Sequence, residues 1–403
     1  MSSPPLRTPL ELCQRLEDRG IATWSQGEGL LDELRAAPRD NSPTRSLLCE
    51  VRVEQLLTVL PRAVVTASEA RRLTVATTDG PIDLFPLGPQ RLETTLLGFG
   101  LGPLAFAYRP TKEAWCDPSG ARLKLEKGIL DVATATPNPF AIAPRRYWIA
   151  ARLLSQYGLE AAPELLEAAR SALPEALERL PQAAPARREI TRILFSPDPS
   201  LGLAFLRQSG VSPALFPGLI LSAESHVAKL GSAPAFRWAA WLEGTATQRA
   251  IVKLRMPHAL ARSIEKLHRA HPIDRTVDAL REGGTRKILQ RLSHDEINGL
   301  IRWRRLELAD LVQNDETHTR SKRLDRVEAQ LAKIRLDQER SVQVRALALD
   351  GKTVMAELGN GPGPHVGRAL GHLANFVRQN PEANERDRLL CELRDWAKKN
   401  VEH

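Results

Sequence analysis

Aromatic residues are scarce in this chain, at 5% of 403 positions, and only four cysteines occur. So few aromatics in a background of recurring Leu, Ala and Arg argue against a β-sandwich and for helices. Cys13, Cys49, Cys116 and Cys391 are far apart. None forms the close pair that a zinc knuckle needs, which points to free thiols in a reducing compartment. No apolar run approaches the ~20 residues that span a bilayer. Met1 to Arg7 contains no apolar segment of the signal-peptide kind, so no membrane partner and a cytoplasmic location are expected. Acidic residues are the minority: 48 against 57 Lys and Arg, for a net charge of +9 and a pI near 9.6. A polyanionic partner suits that balance, as does a merely solvated basic surface. With 42% hydrophobic residues the chain has material for more than one core.

What is present changes character along the chain. Ala63–Thr66, Leu73–Thr77 and Pro81–Phe85 are β-branched or aromatic runs, and Thr78-Asp79-Gly80 between the last two is a hairpin signal. Val53–Leu60 reads as a helix ahead of them. After the proline-punctuated stretch Thr134–Pro144 the apolar period becomes helical almost to the end. Helices are expected over Arg146–Tyr157, Glu164–Leu180 with a kink at Pro174, Arg187–Leu194, Leu201–Gln208, Phe236–Glu243, Ala246–Leu254 and Ala259–Arg269. Ser293-His294-Asp295-Glu296 has capping-box spacing. Glu328–Arg340, with alternating charges, reads as a solvent-facing helix. The fold class expected is α+β: a mixed head over residues 1–133, then a helical neck (134–200), body (201–310) and tail (311–403).

The order of several segments is more informative than any one of them. Trp24–Leu31 with Gly27 and Gly29 comes first, then Pro38-Arg39-Asp40-Asn41-Ser42, then Ile82-Asp83-Leu84. Phe99–Tyr108, Cys116-Asp117-Pro118-Ser119-Gly120 and Gly128–Val132 follow. Pro144-Arg145-Arg146-Tyr147-Trp148-Ile149-Ala150-Ala151-Arg152-Leu153 comes next. The tail carries Leu349-Asp350-Gly351-Lys352-Thr353-Val354-Met355 and Leu358-Gly359-Asn360-Gly361-Pro362-Gly363-Pro364-His365-Val366-Gly367. In this order the chain resembles bacterial tRNA nucleotidyltransferases and poly(A) polymerases of the CCA-adding type, over about residues 20–395. The resemblance implies a nucleotidyltransferase-like head, a tRNA partner, and ATP or CTP with Mg²⁺ as cofactors if the chain is active.

Nucleotidyl transfer needs divalent cations held by carboxylates, typically two on one strand and a third on its neighbour. By resemblance Asp40 and Asp83 are the catalytic and metal ligands, but Ser42 stands where the second carboxylate of the pair belongs. Asp40 also fits a turn, and Asp83 an edge strand. The family's Arg-Asp and Asn positions fall on Phe99, Gly100 and Leu104. Its base-reading carboxylate and arginine fall near Ala183–Arg188, where the sequence is Ala-Ala-Pro-Ala-Arg-Arg. Gly27, Arg145, Arg146 and Arg152 are the candidate triphosphate contacts, or else part of a solvated face. Lys352, Gly361, Gly363 and Arg368 are candidate RNA contacts at a helix start, a plain interhelical turn being the alternative. Trp303 among Arg302, Arg304 and Arg305 either stacks RNA bases or is buried. Three functions remain open: an RNA-binding relative with weak or absent transfer; an active ATP/CTP-dependent transferase that recruits Glu28 or Asp32 as a third carboxylate; and a scaffold for protein contacts.

Overall fold

The computed structural model describes residues 9–35, 45–67, 72–134, 137–180, 183–219, 223–244, 246–278, 291–312, 314–345, 347–359 and 361–400. The chain packs as two compact units, Met1–Arg269 and Ala270–His403.

The first unit opens on a seven-stranded mixed sheet. Its strands are β1 (Thr23–Gln26), β2 (Arg45–Cys49), β3 (Val64–Ala67), β4 (Arg72–Thr77), β5 (Gly80–Pro86), β6 (Ala107–Arg109) and β7 (Ala114–Cys116). They lie in the order β3-β4-β5-β2-β1-β6-β7, with β2 and β5 parallel and every other pair antiparallel. The Asp79-Gly80 hairpin closes as the sequence predicts: Thr77 pairs with Gly80, whose φ of +108° lies where glycine alone is comfortable.

Strand alternation sorts the side chains onto two faces. Leu47, Cys49, Leu73, Val75, Ile82 and Leu84 point to one face. There they meet Leu12, Cys13 and Leu16 of helix α1 (Pro9–Glu17) and Leu56 of helix α3 (Val53–Val59). Helix α2 (Glu28–Arg35) follows β1 directly. Trp24, Leu48, Phe85 and Ala107 point to the other face, where Leu92 and Leu96 of helix α4 (Leu92–Gly98) cover them. The four cysteines are free, as expected from their spacing.

A short helix α5 (Ala121–Glu126) and a two-residue parallel pair, β8 (Ile129–Leu130) with β9 (Glu160–Ala161), lead into the helical layer. Its helices are α6 (Pro139–Ile142), α7 (Arg146–Tyr157), α8 (Pro163–Ala176), α9 (Ala183–Leu194) and α10 (Pro199–Gln208); α6, α9 and α10 pack on α7, and α8 packs on α6 and α10. Ten of the twelve α7 residues are buried. Ala151 and Gly202 let α7 and α10 approach so closely that a Cβ at 202 would lie 2.2 Å from the Ala151 carbonyl oxygen. Phe140, Tyr147 and Phe205 fill the adjoining core, and the Tyr147 hydroxyl donates to Ala169 O at 2.6 Å. Pro174 sits inside the last turn of α8, which ends at Ala176, four residues earlier than its apolar pattern predicts. Further helices continue to His258–Ala270.

The second unit is helical among its described residues. The Ser293 cap forms as read: its hydroxyl accepts from Glu296 N, and the Glu296 carboxylate accepts from Ser293 N at 2.7 Å. Trp303 is fully buried and stacks on His271 at 3.8 Å between ring centroids, so it is a core residue. One expectation is corrected. The helix Asp315–Arg345 is not simply solvent-facing, because Leu324, Val327, Leu331 and Ile334 form a buried stripe at helical spacing. The charged residues between them dominate the composition and obscure that stripe. No described helix is long and apolar enough to cross a membrane.

Candidate functional site

A polar row crosses the α4-side face of the sheet. Gln26 on β1 pairs with Ser46 on β2, Ser46 with Asp83 on β5, and Asp83 with Thr74 on β4. Asp83 is buried, accepts from the Thr74 hydroxyl at 2.7 Å and lies 3.4 Å from an Arg72 nitrogen. Gln26 donates to Leu104 O at 2.7 Å. Gly27, at φ +85°, turns the chain from β1 into α2 directly over Ser46; a Cβ there would be 3.9 Å from the Ser46 hydroxyl oxygen.

Asp83 is the one carboxylate on the seven strands. The residue in register with it on β2 is Ser46, and Arg45 and Leu47 on either side face the opposite way. Asp40 and Ser42 lie outside the described residues. Among the described residues, Asp83 belongs to no cluster of three metal-ligating side chains. Magnesium seeks several hard oxygen ligands in octahedral array. The described donors here are one carboxylate, already engaged on both oxygens, with two hydroxyls and an amide beside it. That set by itself does not fit the ion, so a Mg²⁺ site would depend on Asp40.

The two acids that could replace the missing carboxylate are engaged elsewhere. Glu28 holds Arg152 through two contacts of 2.6 Å, and Asp32 accepts from the Tyr157 hydroxyl at 2.7 Å. Arg152 also reaches Glu189 on α9 at 2.9 Å, and Glu189 in turn meets Arg192. Burial works against the Arg152 charge, but the two carboxylates outweigh it and hold its pKa above the ordinary value. Buried Arg152 therefore faces a half-buried acidic clamp joining α2, α7 and α9. Glu189 is a carboxylate one residue beyond the Ala183–Arg188 stretch, where the sequence reading found none.

Arg145 and Arg146, at the start of α7, have a different setting. Arg145 is exposed; Arg146 is buried and donates to the carbonyls of Pro139 and Gly98. Burial, then the neighbouring Arg145, lowers the Arg146 pKa. Both line a cavity with Arg91 and Thr94 on the flank of α4. Gly100 explains how Arg146 gets there. A Cβ at residue 100 would stand 2.8 Å from the guanidinium carbon and 2.7 Å from Pro139 Cβ, at a φ of +79°.

In the second unit, Asp350 caps the helix Gly351–Leu358 by accepting from Thr353 N at 2.8 Å, and exposed Lys352 lies in its first turn. Gly359 ends that helix at φ +64°. Exposed Gly361 and extended Gly363 lead into the sixteen-residue helix Pro364–Gln379, on which Arg368 is exposed. The first-turn N–H groups of that helix have no side-chain cap from Gly363.

No family model matches the sequence, and no curated protein matches it. Solved structures do match its fold. The Bacillus stearothermophilus CCA-adding enzyme in complex with CTP is 18% identical, covers all of both chains and superposes with a TM-score of 0.63. The Thermotoga maritima CCA-adding enzyme complexed with tRNA is 14% identical over 95% of this chain and 93% of its own, with a TM-score of 0.59. A CCA-adding enzyme in an apo form is 15% identical over 95% and 92%, at 0.60. At such identities the likeness establishes one thing: this chain has the fold of CCA-adding enzymes along its whole length.

Proposed function

We propose that this chain is a tRNA-binding relative of CCA-adding enzymes in which nucleotidyl transfer is weak or absent. The observation that carries this reading is the Ser46–Asp83 register pair. The sheet face that would need several carboxylates presents one, tied to Thr74 and Arg72. Without paired carboxylates the metal ions that activate a 3′-hydroxyl and neutralise a leaving pyrophosphate are poorly held. Three features support RNA as the partner: the net charge of +9, the full-length fold likeness to an enzyme solved with tRNA, and the uncapped helix start at Gly363. Lys352 and Arg368, with the Gly361 and Gly363 backbone, are the proposed contacts to RNA phosphates. Full-length protein in a gel shift at moderate salt should retain tRNA. Binding should fall steeply as salt rises, because arginine and lysine contacts release counterions. Free migration of tRNA at moderate salt would end the proposal.

The second reading is an active transferase using Mg²⁺ with ATP or CTP. It is favoured by the likeness to structures solved with CTP and with ATP. It requires Asp40 to complete a metal site with Asp83. Glu28 and Asp32 could join only by leaving Arg152 and Tyr157.

A further inference from the structure

Arg72 and Thr74 stand two residues apart on β4, so both point to the face of the sheet on which Asp83 lies. Thr74 is directly opposite Asp83 and donates to one carboxylate oxygen at 2.7 Å. The Arg72 guanidinium lies 3.4 Å from the other oxygen. The Asp83 side chain is 11% exposed and that of Arg72 is 40% exposed, so the arginine keeps one flank in water while its charge reaches a carboxylate that water hardly touches.

A carboxylate so deeply placed needs a compensating charge. The fold meets the same need elsewhere with a side chain: buried Asp131 has Lys124, and buried Asp274 has Arg304. On this face a divalent cation would be the alternative, and the two solutions compete. Asp83 with Arg72 is neutral. A divalent ion added to that pair would bring two surplus positive charges to a sheet whose strands carry no other carboxylate. Were Asp40 to join, one positive charge would still be in excess. Like charges a few ångströms apart repel strongly where water is scarce. Ser46, in register with Asp83 on β2, offers a hydroxyl and no charge to offset this.

We propose that Arg72 is the resident cation of this sheet face. Its guanidinium compensates Asp83 in place of a divalent ion, and its charge keeps such an ion out. The inference goes beyond weak nucleotidyl transfer, because a chain that transfers nothing could still hold an ion at Asp83, and this one holds none. It stands whether or not the chain binds tRNA.

Full-length protein should be titrated with Mn²⁺, which takes the same oxygen ligands as Mg²⁺, and the free ion followed by electron paramagnetic resonance. Wild-type protein and Asp83→Asn should leave the same amount of ion free at every point. Arg72→Gln loses the charge and keeps a polar end; it should bind Mn²⁺ more tightly than wild type by about tenfold or more. Arg72→Gln combined with Asp83→Asn should return to the wild-type curve. Arg72→Lys keeps the charge and should exclude Mn²⁺ as wild type does. Arg72 is exposed enough for the melting temperature of Arg72→Gln to stay near the wild-type value and report its folding. Mn²⁺ uptake by wild type that disappears in Asp83→Asn would overturn the proposal, and this comparison needs no change at Arg72. So would a folded Arg72→Gln chain that binds Mn²⁺ no more tightly than wild type. Equal uptake by Arg72→Lys and Arg72→Gln would also overturn it, since the charge would then not be what excludes the ion.

Discussion

Arg152 keeps its charge inside the helical layer because Glu28 and Glu189 approach it from two other helices. Removing one side of a buried ion network leaves the other uncompensated. Arg152→Ala should therefore destabilise the first unit by on the order of 3 kcal/mol, read from urea denaturation. Glu28 and Glu189 are partly exposed, so relaxation into water will keep the loss near the lower end. A loss below about 0.5 kcal/mol, the level of an ordinary surface substitution, would show that the clamp is ornamental. Glu17 offers a pH-dependent counterpart. Arg109 binds it through two contacts, at 2.8 and 2.6 Å, and holds its pKa below the ordinary value. A lowered acid contributes stability above its unfolded pKa of about 4.3, and that contribution disappears as pH falls through the folded value. The fall in denaturation midpoint between pH 5 and pH 3 should be smaller in Glu17→Gln than in the wild-type chain. Parallel curves would contradict this.

At the scale of elements, α7 and α10 show how much the packing depends on one missing side chain. Gly202 N donates to the Ser155 hydroxyl at 3.0 Å, and a Cβ at 202 would fall 2.3 Å from that oxygen. Gly202→Ala must push the helices apart, at a cost of about 1–3 kcal/mol and several degrees of melting temperature. An unchanged melting temperature would mean that the crossing is looser than described. The same elements explain what the sequence made legible. The β4–β5 hairpin was readable because β-branched runs flank Asp-Gly, and α7 was readable from end to end because its apolar period is unbroken. Strands β1 and β2 were not. Thr-Trp-Ser-Gln lacks β-branched weight, and β2, buried on both faces in the middle of the sheet, has adjacent leucines where an alternating pattern would be sought. The site suffered from the same gap. Asp83 could be picked out as an acid in a strand pattern, but its register partner Ser46 lies in a strand that the pattern hid. Arg145 and Arg152 share a spacing that suggests one surface, yet burial separates them into a cavity wall and an acidic clamp. The segment from 36 to 44, where Asp40 lies, is outside the described residues, so the pairing of Asp40 with Asp83 stays a sequence expectation.

For the whole molecule, the fold of a CCA-adding enzyme along the full chain is joined to a sheet face with a single carboxylate. On the proposed reading this chain holds tRNA and does little chemistry on it. The most direct test is Mg²⁺-dependent incorporation of labelled ATP and CTP, supplied separately, into a tRNA lacking its 3′ terminus, with full-length protein that retains the same tRNA in a gel shift. The account predicts retention with incorporation at or near background. Robust incorporation of either nucleotide, lost in Asp83→Ala, would contradict it and establish a working metal site at Asp83.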